Sequence, residues 1–242
     1  NIVALAVVGT LAAFAAVLLL GLIHELEILL WEVWPESLGY AAPPWWMLLA
    51  LPVAGALLVW GARTLLPGDG GHEPLDGLGV SPTPLAFLPS IALAAIASLA
   101  FGAVVGPEAP LIAIGGGLAA WMVHLVKKDA PEQATVVIGA AGSFAAISTL
   151  LGSPILGAFL LMEVAGIAGP MIGVVLLPGL LAAGIGSLVF LGLDDLTGWG
   201  TFSLAVPDLP AFDSIDGYQF LWAIGIGVLG AVLGTAIHRG SQ

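Results

Sequence analysis

The sequence has no cysteine and very little charge, and each shortage excludes a class of protein. Without cysteine there is no disulfide framework and no thiolate metal site. Only 8% of the residues are charged, and four Lys and Arg stand against 16 Asp and Glu, a net charge of −12. Such a balance argues against binding to nucleic acid or to acidic lipid. We hypothesise that the acidic excess keeps the surface hydrated in high salt, as in a halophile.

The chain consists instead of long apolar runs, because 60% of its residues are hydrophobic. Runs of this length cross a bilayer as helices. We therefore predict an all-α, multi-pass protein of the plasma membrane with no soluble domain. The predicted helices cover residues 2–34, 47–66, 85–100, 108–124, 133–151, 155–165, 170–193 and 220–237. The first is predicted to end before Pro35 and to form a hairpin with the second.

Two of these segments are too short for a straight span. Residues 85–100 and 155–165 fall below the roughly 20 residues that a bilayer requires, and prolines or glycines precede both. Transporters use such interrupted helices to bring polar backbone groups to the middle of the membrane. The four basic residues predict a cytoplasmic face, and the acidic stretch 194–218 an external loop. The start without Met and the end directly after an apolar run predict a segment of a longer protein.

The stretch Gly106-Pro107-Glu108-Ala109-Pro110 predicts a helix that begins inside the membrane. Proline is favourable in a first helical turn, and residues 91–105 before it carry no charge. The unpaired amides and positive dipole end of such a helix favour an anion. Glu108 is the one anion that the sequence supplies there. Its carboxylate can occupy the site or, when protonated, leave it to a solute, which makes it a candidate gate.

Other polar residues have less specific patterns. Glu163 is more consistent with an interfacial acid than with a proton carrier, whereas His72 and Asp69 fit a solvated turn and a pore lining equally well. The His24-Glu25 pair lacks the second histidine of a zinc protease helix, since Ile28 stands four residues on. No cofactor, metal or enzymatic activity is predicted.

The motif at Glu108, continued by Ile114-Gly115-Gly116, resembles the second signature of the CLC family of chloride channels and proton/chloride antiporters. Gly152-Ser153-Pro154-Ile155-Leu156-Gly157-Ala158 resembles that family's Asn-Ala-Pro-Leu-Ala-Gly stretch. Gly70-Gly71-His72-Glu73-Pro74 falls where the family has its glycine-serine-glycine-isoleucine-proline filter loop. The order and spacing of all three stretches match the family.

The resemblance implies a CLC-like inverted-repeat fold, with residues 1–217 as the first repeat and 218–242 as the opening helix of the second. It implies that Glu108 is the gating glutamate. The implied anion-binding residues are Gly70, Gly71, His72, Gly106, Pro107, Ala109 and Leu111, with Glu163 on a possible proton path. The implied partners are chloride or a similar anion, the lipid bilayer, a second copy in a homodimer and the missing C-terminal half.

Three positions depart from the family pattern. The filter serine is absent, with Gly70 or Asp69 in its place, and Ala109 replaces a glycine. Val164 stands where the antiporters have a second, inward-facing glutamate, which favours a passive channel or a differently coupled exchanger. The alternatives are a secondary transporter of another small anion on the same fold, an intramembrane hydrolase, or a non-conducting assembly subunit.

Overall fold

A computed structural model describes residues 2–71, 81–165, 171–197 and 216–240. Within these ranges the regular structure is helical, and no strand occurs. The helices are α1 (Ile2–Ile28), continued by a π-helical turn (Leu29–Val33) and α2 (Trp34–Ser37), then α3 (Trp45–Leu65), α4 (Leu88–Leu99), α5 (Glu108–Val126), α6 (Glu132–Leu151), α7 (Pro154–Ala165), α8 (Met171–Thr197) and α9 (Gly217–Gly240).

Six of the described helical stretches are long and apolar enough to cross a membrane, whereas the segments 85–99 and 154–163 are shorter. The predicted all-α, multi-pass fold with two short segments is therefore confirmed. The chain divides into two compact units, Asn1–Leu204 and Ala205–Gln242, and α9 is the described helix of the second. The assignment of residues 1–217 and 218–242 to two inverted repeats stays a prediction.

The core of the first unit forms around α6. This helix packs against α1, α5, α7 and α8, and its residues 139–150 are buried. Glycine and alanine dominate its surface, so neighbouring backbones approach closely. Phe144 is the largest fully buried side chain of the unit and fills the space beside Gly179 of α8. Because α6 contacts α5 on one side, it fixes the helix that begins at Glu108.

Two predictions about the first helix are wrong. The helix does not end before Pro35, because a π-helical turn with a bond from the Trp34 N–H to the Leu29 carbonyl precedes it and the helix continues to Ser37. The wider π turn leaves room for the proline ring, which would clash with a carbonyl in a regular α-helix.

Helix α8 likewise continues beyond its predicted end at residue 193, to Thr197.

The predicted hairpin of the first two spans is also not formed. Among the described helices of this unit, α3 packs against α4 and not against α1. Small residues explain the difference: Gly55 of α3 lies against the Ala97 carbonyl of α4, whereas Gly9 of α1 lies directly against the Ala182 carbonyl of α8. Each glycine permits a close backbone approach to a different partner.

Candidate anion site at the start of helix α5

The start of α5 presents two free amide groups. Pro107 is the N-cap residue, and no side chain caps the helix. The Leu111 N–H donates to the Pro107 carbonyl at 3.1 Å, and Pro110 has no N–H. Of the first helical residues, only Glu108 and Ala109 therefore retain N–H groups without an intrahelical acceptor. The amide of Leu111, one of the implied anion-binding residues, is thus already bonded within the helix.

The Glu108 carboxylate folds back over Gly106. A side chain at Gly106 would overlap both carboxylate oxygens, so only glycine allows this arrangement. Glu108 is half-buried, whereas residues 102–106 before it are exposed. The carboxylate thus lies beside the backbone that leads into α5, next to the positive end of the helix dipole. A negative group is stabilised in this position by about 0.3–1 kcal/mol at an exposed site and up to about 2 kcal/mol at a partly buried one.

The helix behind Glu108 is held rigidly. Leu111 and Ile112 are buried in the core, and the Ser143 hydroxyl of α6 donates to the Ile112 carbonyl at 2.9 Å. One turn further, Gly115 lies against the Gly142 carbonyl, so the two helices are in backbone contact. These contacts fix the direction in which the free amides point.

Gly70 and Gly71, the described part of the predicted filter loop, lie against α4. Gly70 and Gly71 have φ values of 81° and 112°, which glycine adopts without strain. Gly70 packs beside Arg63 and Ala94, and the nearest side chain to Gly71 is Ile91. His72, the third predicted residue of this loop, lies outside the described residues.

The predicted anion-binding residues therefore form two groups. Gly106, Pro107, Ala109 and Leu111 lie at the start of α5 with the predicted gate, Glu108, whereas Gly70 and Gly71 lie beside α4. Helix α4 connects the groups in the chain, since its end leads directly into the turn before α5. Their convergence on one anion stays a prediction.

Glu163 lies in the last turn of α7. Its side chain is exposed, and α7 packs against α6 and α8. The break before α7 is formed by Gly152, at φ 63°, and by Ser153, whose hydroxyl accepts from the Leu156 N–H at 3.4 Å. An exposed acid at a helix end fits the interfacial interpretation, and a proton path through Glu163 stays a prediction.

One contact near the start of α5 was not predicted from the sequence. The Trp31 indole N–H donates to the Ala100 carbonyl at 2.9 Å, at the end of α4. Its ring also covers Gly102, where an added side chain would come within 2.8 Å of Cζ2. No sequence signal pairs residues 69 positions apart, although Gly102 alone could have indicated a close approach.

These features define a multi-pass helical membrane protein in which a half-buried carboxylate stands before an uncapped helix start. The family model described as voltage gated chloride channel matches residues 54–242. The chain belongs to the voltage gated chloride channel (CLC) family.

Curated relatives agree with this assignment. The chain is 25% identical over 247 residues to "Putative chloride channel protein ClcB-like" of Ralstonia nicotianae, an alignment that covers 96% of this chain and 55% of the relative. It is 26% identical over 160 residues to "Putative ion-transport protein YfeO" of Escherichia fergusonii, covering 64% of this chain and 37% of the relative. The Escherichia coli O6:H1 protein of the same name matches to the same extent. The chain thus spans about half the length of the first relative and less of the others.

Proposed function

We propose that this chain is part of a protein that moves a small anion, chloride in the first instance, across the plasma membrane, with Glu108 as the gate. Family membership supports anion transport, and the ClcB-like relative is named as a chloride channel. The observation that carries the gating role is the Glu108 carboxylate folded back over Gly106, at a helix start whose Glu108 and Ala109 amides have no intrahelical acceptor. An anion and this carboxylate would compete for the same amides.

The competition predicts the sign of the pH dependence. When Glu108 is charged, it competes with the transported anion, and when acid protonates it, the competition ends. Flux therefore rises on acidification. If the helix start stabilises the carboxylate by up to about 2 kcal/mol, the occupancy of the site by the carboxylate relative to the anion rises by up to roughly thirtyfold.

Anion flux in liposomes containing the full-length protein tests the proposal. Glu108→Gln and Glu108→Ala are expected to give flux that is high at neutral pH and nearly independent of acidification. Glu132→Gln is the matched control, because Glu132 also occupies the first position of a helix after a proline but is exposed. Acid activation that persists in both Glu108 variants would show that Glu108 is not the gate.

We further propose passive conduction rather than proton exchange. Val164 follows Glu163 in the sequence and carries no ionisable group. With simultaneous recording of internal pH, a chloride gradient is expected to drive chloride without opposite proton movement. Proton uptake against its gradient would instead show an exchanger. Flux of a different small anion in preference to chloride would favour the alternative transporter on the same fold.

A further inference from the structure

The segment that leads to Glu108 begins at the end of α4, where the last carbonyls of the helix are hydrogen-bonded. At the end of α4, the Ala103 N–H donates to the Ser98 carbonyl at 3.0 Å and the Gly102 N–H to the Leu99 carbonyl at 3.1 Å. This pair of bonds, with Gly102 at φ 98°, is a Schellman motif. It satisfies the carbonyls of Ser98 and Leu99. The next carbonyl, at Ala100, is satisfied by the Trp31 indole.

Trp31 reaches this end because it lies in the middle of the π-helical turn Leu29–Val33. A π turn contains an extra residue, so side chains beyond it are rotated by about 100° relative to a continuous α-helix. Such turns are frequent at functional sites. Trp31 also borders a cavity of about 340 Å³ with Glu32, Glu36 and Tyr40, so a smaller side chain would enlarge this space.

Among the described residues, few contacts support the chain between Gly102 and the start of α5. Val104 and Val105 are exposed, and the Val105 N–H bonds only to the nearby Ala103 carbonyl, at 2.9 Å. The direction of this short segment is therefore determined at its two ends. One end is the start of α5, which α6 holds, and the other is the Ala100–Gly102 end, which Trp31 holds.

We propose that Trp31 is a positioning residue for the gate: its indole fixes the end of α4 and so holds the segment that places the Glu108 carboxylate before α5. This inference rests on the proposed gating role of Glu108. It adds a residue from the π-helical turn Leu29–Val33, far away in sequence, to a site otherwise formed by the end of α4 and the start of α5. Trp31 acts through backbone position and makes no contact with the transported anion.

The first test removes the indole N–H of Trp31 and keeps an aromatic ring at this position. In liposomes with the full-length protein, Trp31→Phe is expected to lower the ratio of acidic to neutral chloride flux by roughly 2- to 10-fold, the range for the loss of one hydrogen bond. Trp34→Phe is the matched control, since Trp34 lies three residues on and its side chain is more exposed. It should retain the wild-type ratio.

The second test alters the contact between Trp31 and Gly102 by a substitution at Gly102. Gly102→Ala adds a methyl group against the Trp31 ring at a residue with φ 98°, and we expect it to reduce the acid activation as Trp31→Phe does. Gly39→Ala is the control for backbone strain alone, because Gly39 has φ 83° and nothing within 4 Å of an added side chain. Elution as a single species with unchanged helical circular dichroism shows that each variant is folded.

A third measurement separates this inference from the gating proposal. In a Glu108→Gln background, Trp31→Phe should have no further effect on the pH profile, because the group that it positions no longer titrates. If Glu108→Gln abolishes acid activation but folded Trp31→Phe and Gly102→Ala keep it, the positioning role is wrong and the gate stands. If Glu108→Gln itself leaves the activation unchanged, the gate is wrong and the positioning role falls with it.

Discussion

A methyl group added at Gly142 tests how closely α5 and α6 are packed. In the structure, the Cβ of an alanine there would overlap the Gly115 carbonyl oxygen and come within 2.5 Å of the Ala119 Cβ. The reciprocal alanine at Gly115 would come within 2.5 Å of the Gly142 carbonyl and 2.7 Å of the Ala146 Cβ. None of these atoms can rotate away. The helices must therefore separate by at least about half an ångström to reach a 3.0 Å contact.

The cost of this separation can be isolated with a second alanine variant. Gly184 lies in α8 with nothing within 4 Å of an added Cβ, so Gly184→Ala keeps the gain in helix propensity without the clash. Overpacking of a close-packed interior costs about 1–3 kcal/mol. Because both variants gain the same propensity, we expect Gly142→Ala to be less stable than Gly184→Ala by about 1–3 kcal/mol.

The measured quantity is the free energy of unfolding of the full-length protein in mixed micelles, with circular dichroism as the probe of helix content. Gly115→Ala should match Gly142→Ala, and the double variant should cost less than the sum, since both methyl groups open the same contact. Flux should change as well, because α5 carries Glu108. Equal stability of Gly142→Ala and Gly184→Ala would refute the close packing of these helices.

Two further substitutions test the packing behind the site. Ser143→Ala removes the hydrogen bond to the Ile112 carbonyl and should lower the free energy of unfolding by about 0.6 kcal/mol, and by no more than about 1.7 kcal/mol, in the same assay. The control is Ser98→Ala, because the Ser98 hydroxyl bonds within its own helix. An equal loss in both variants would contradict an interhelical contribution of Ser143. Phe144→Ala leaves a cavity in the core and should lower the free energy of unfolding by about 3–5 kcal/mol. Phe14 is exposed, so Phe14→Ala should lower it much less. Similar losses in the two variants would show that Phe144 is not a core residue.

The sequence was informative wherever local chemistry determines the structure. Prolines at 107 and 110 predicted the start of α5, and the breaker at 152–154 predicted the start of α7. Low charge and long apolar runs predicted an all-helical membrane protein. These features depend on the chain's immediate neighbours and on the solvent, so a single sequence contains them.

The errors came from interactions between distant residues. The π turn before Pro35 contains Trp31, whose indole bonds to the distant Ala100 carbonyl. Helix α3 packs against α4 rather than α1 because Gly55 permits a close backbone approach there. The role of the candidate site residues stays a prediction. The proline pattern indicated the position of Glu108, but not that the Leu111 amide is bonded to Pro107 or that the carboxylate lies over Gly106.

The central position of α6 has a consequence for biosynthesis. Its partners α1 and α5 leave the ribosome before it, but α8 is complete only after Thr197, about 46 residues later. At cellular translation rates this delay is roughly 2–9 seconds. During that time the alanine and glycine surface of α6 that will meet α8 has only lipid or the insertion machinery as a neighbour. Substitutions at Gly179 of α8, which lies against Phe144 of α6, should therefore appear first as degraded nascent protein, before any change in transport by the molecules that mature.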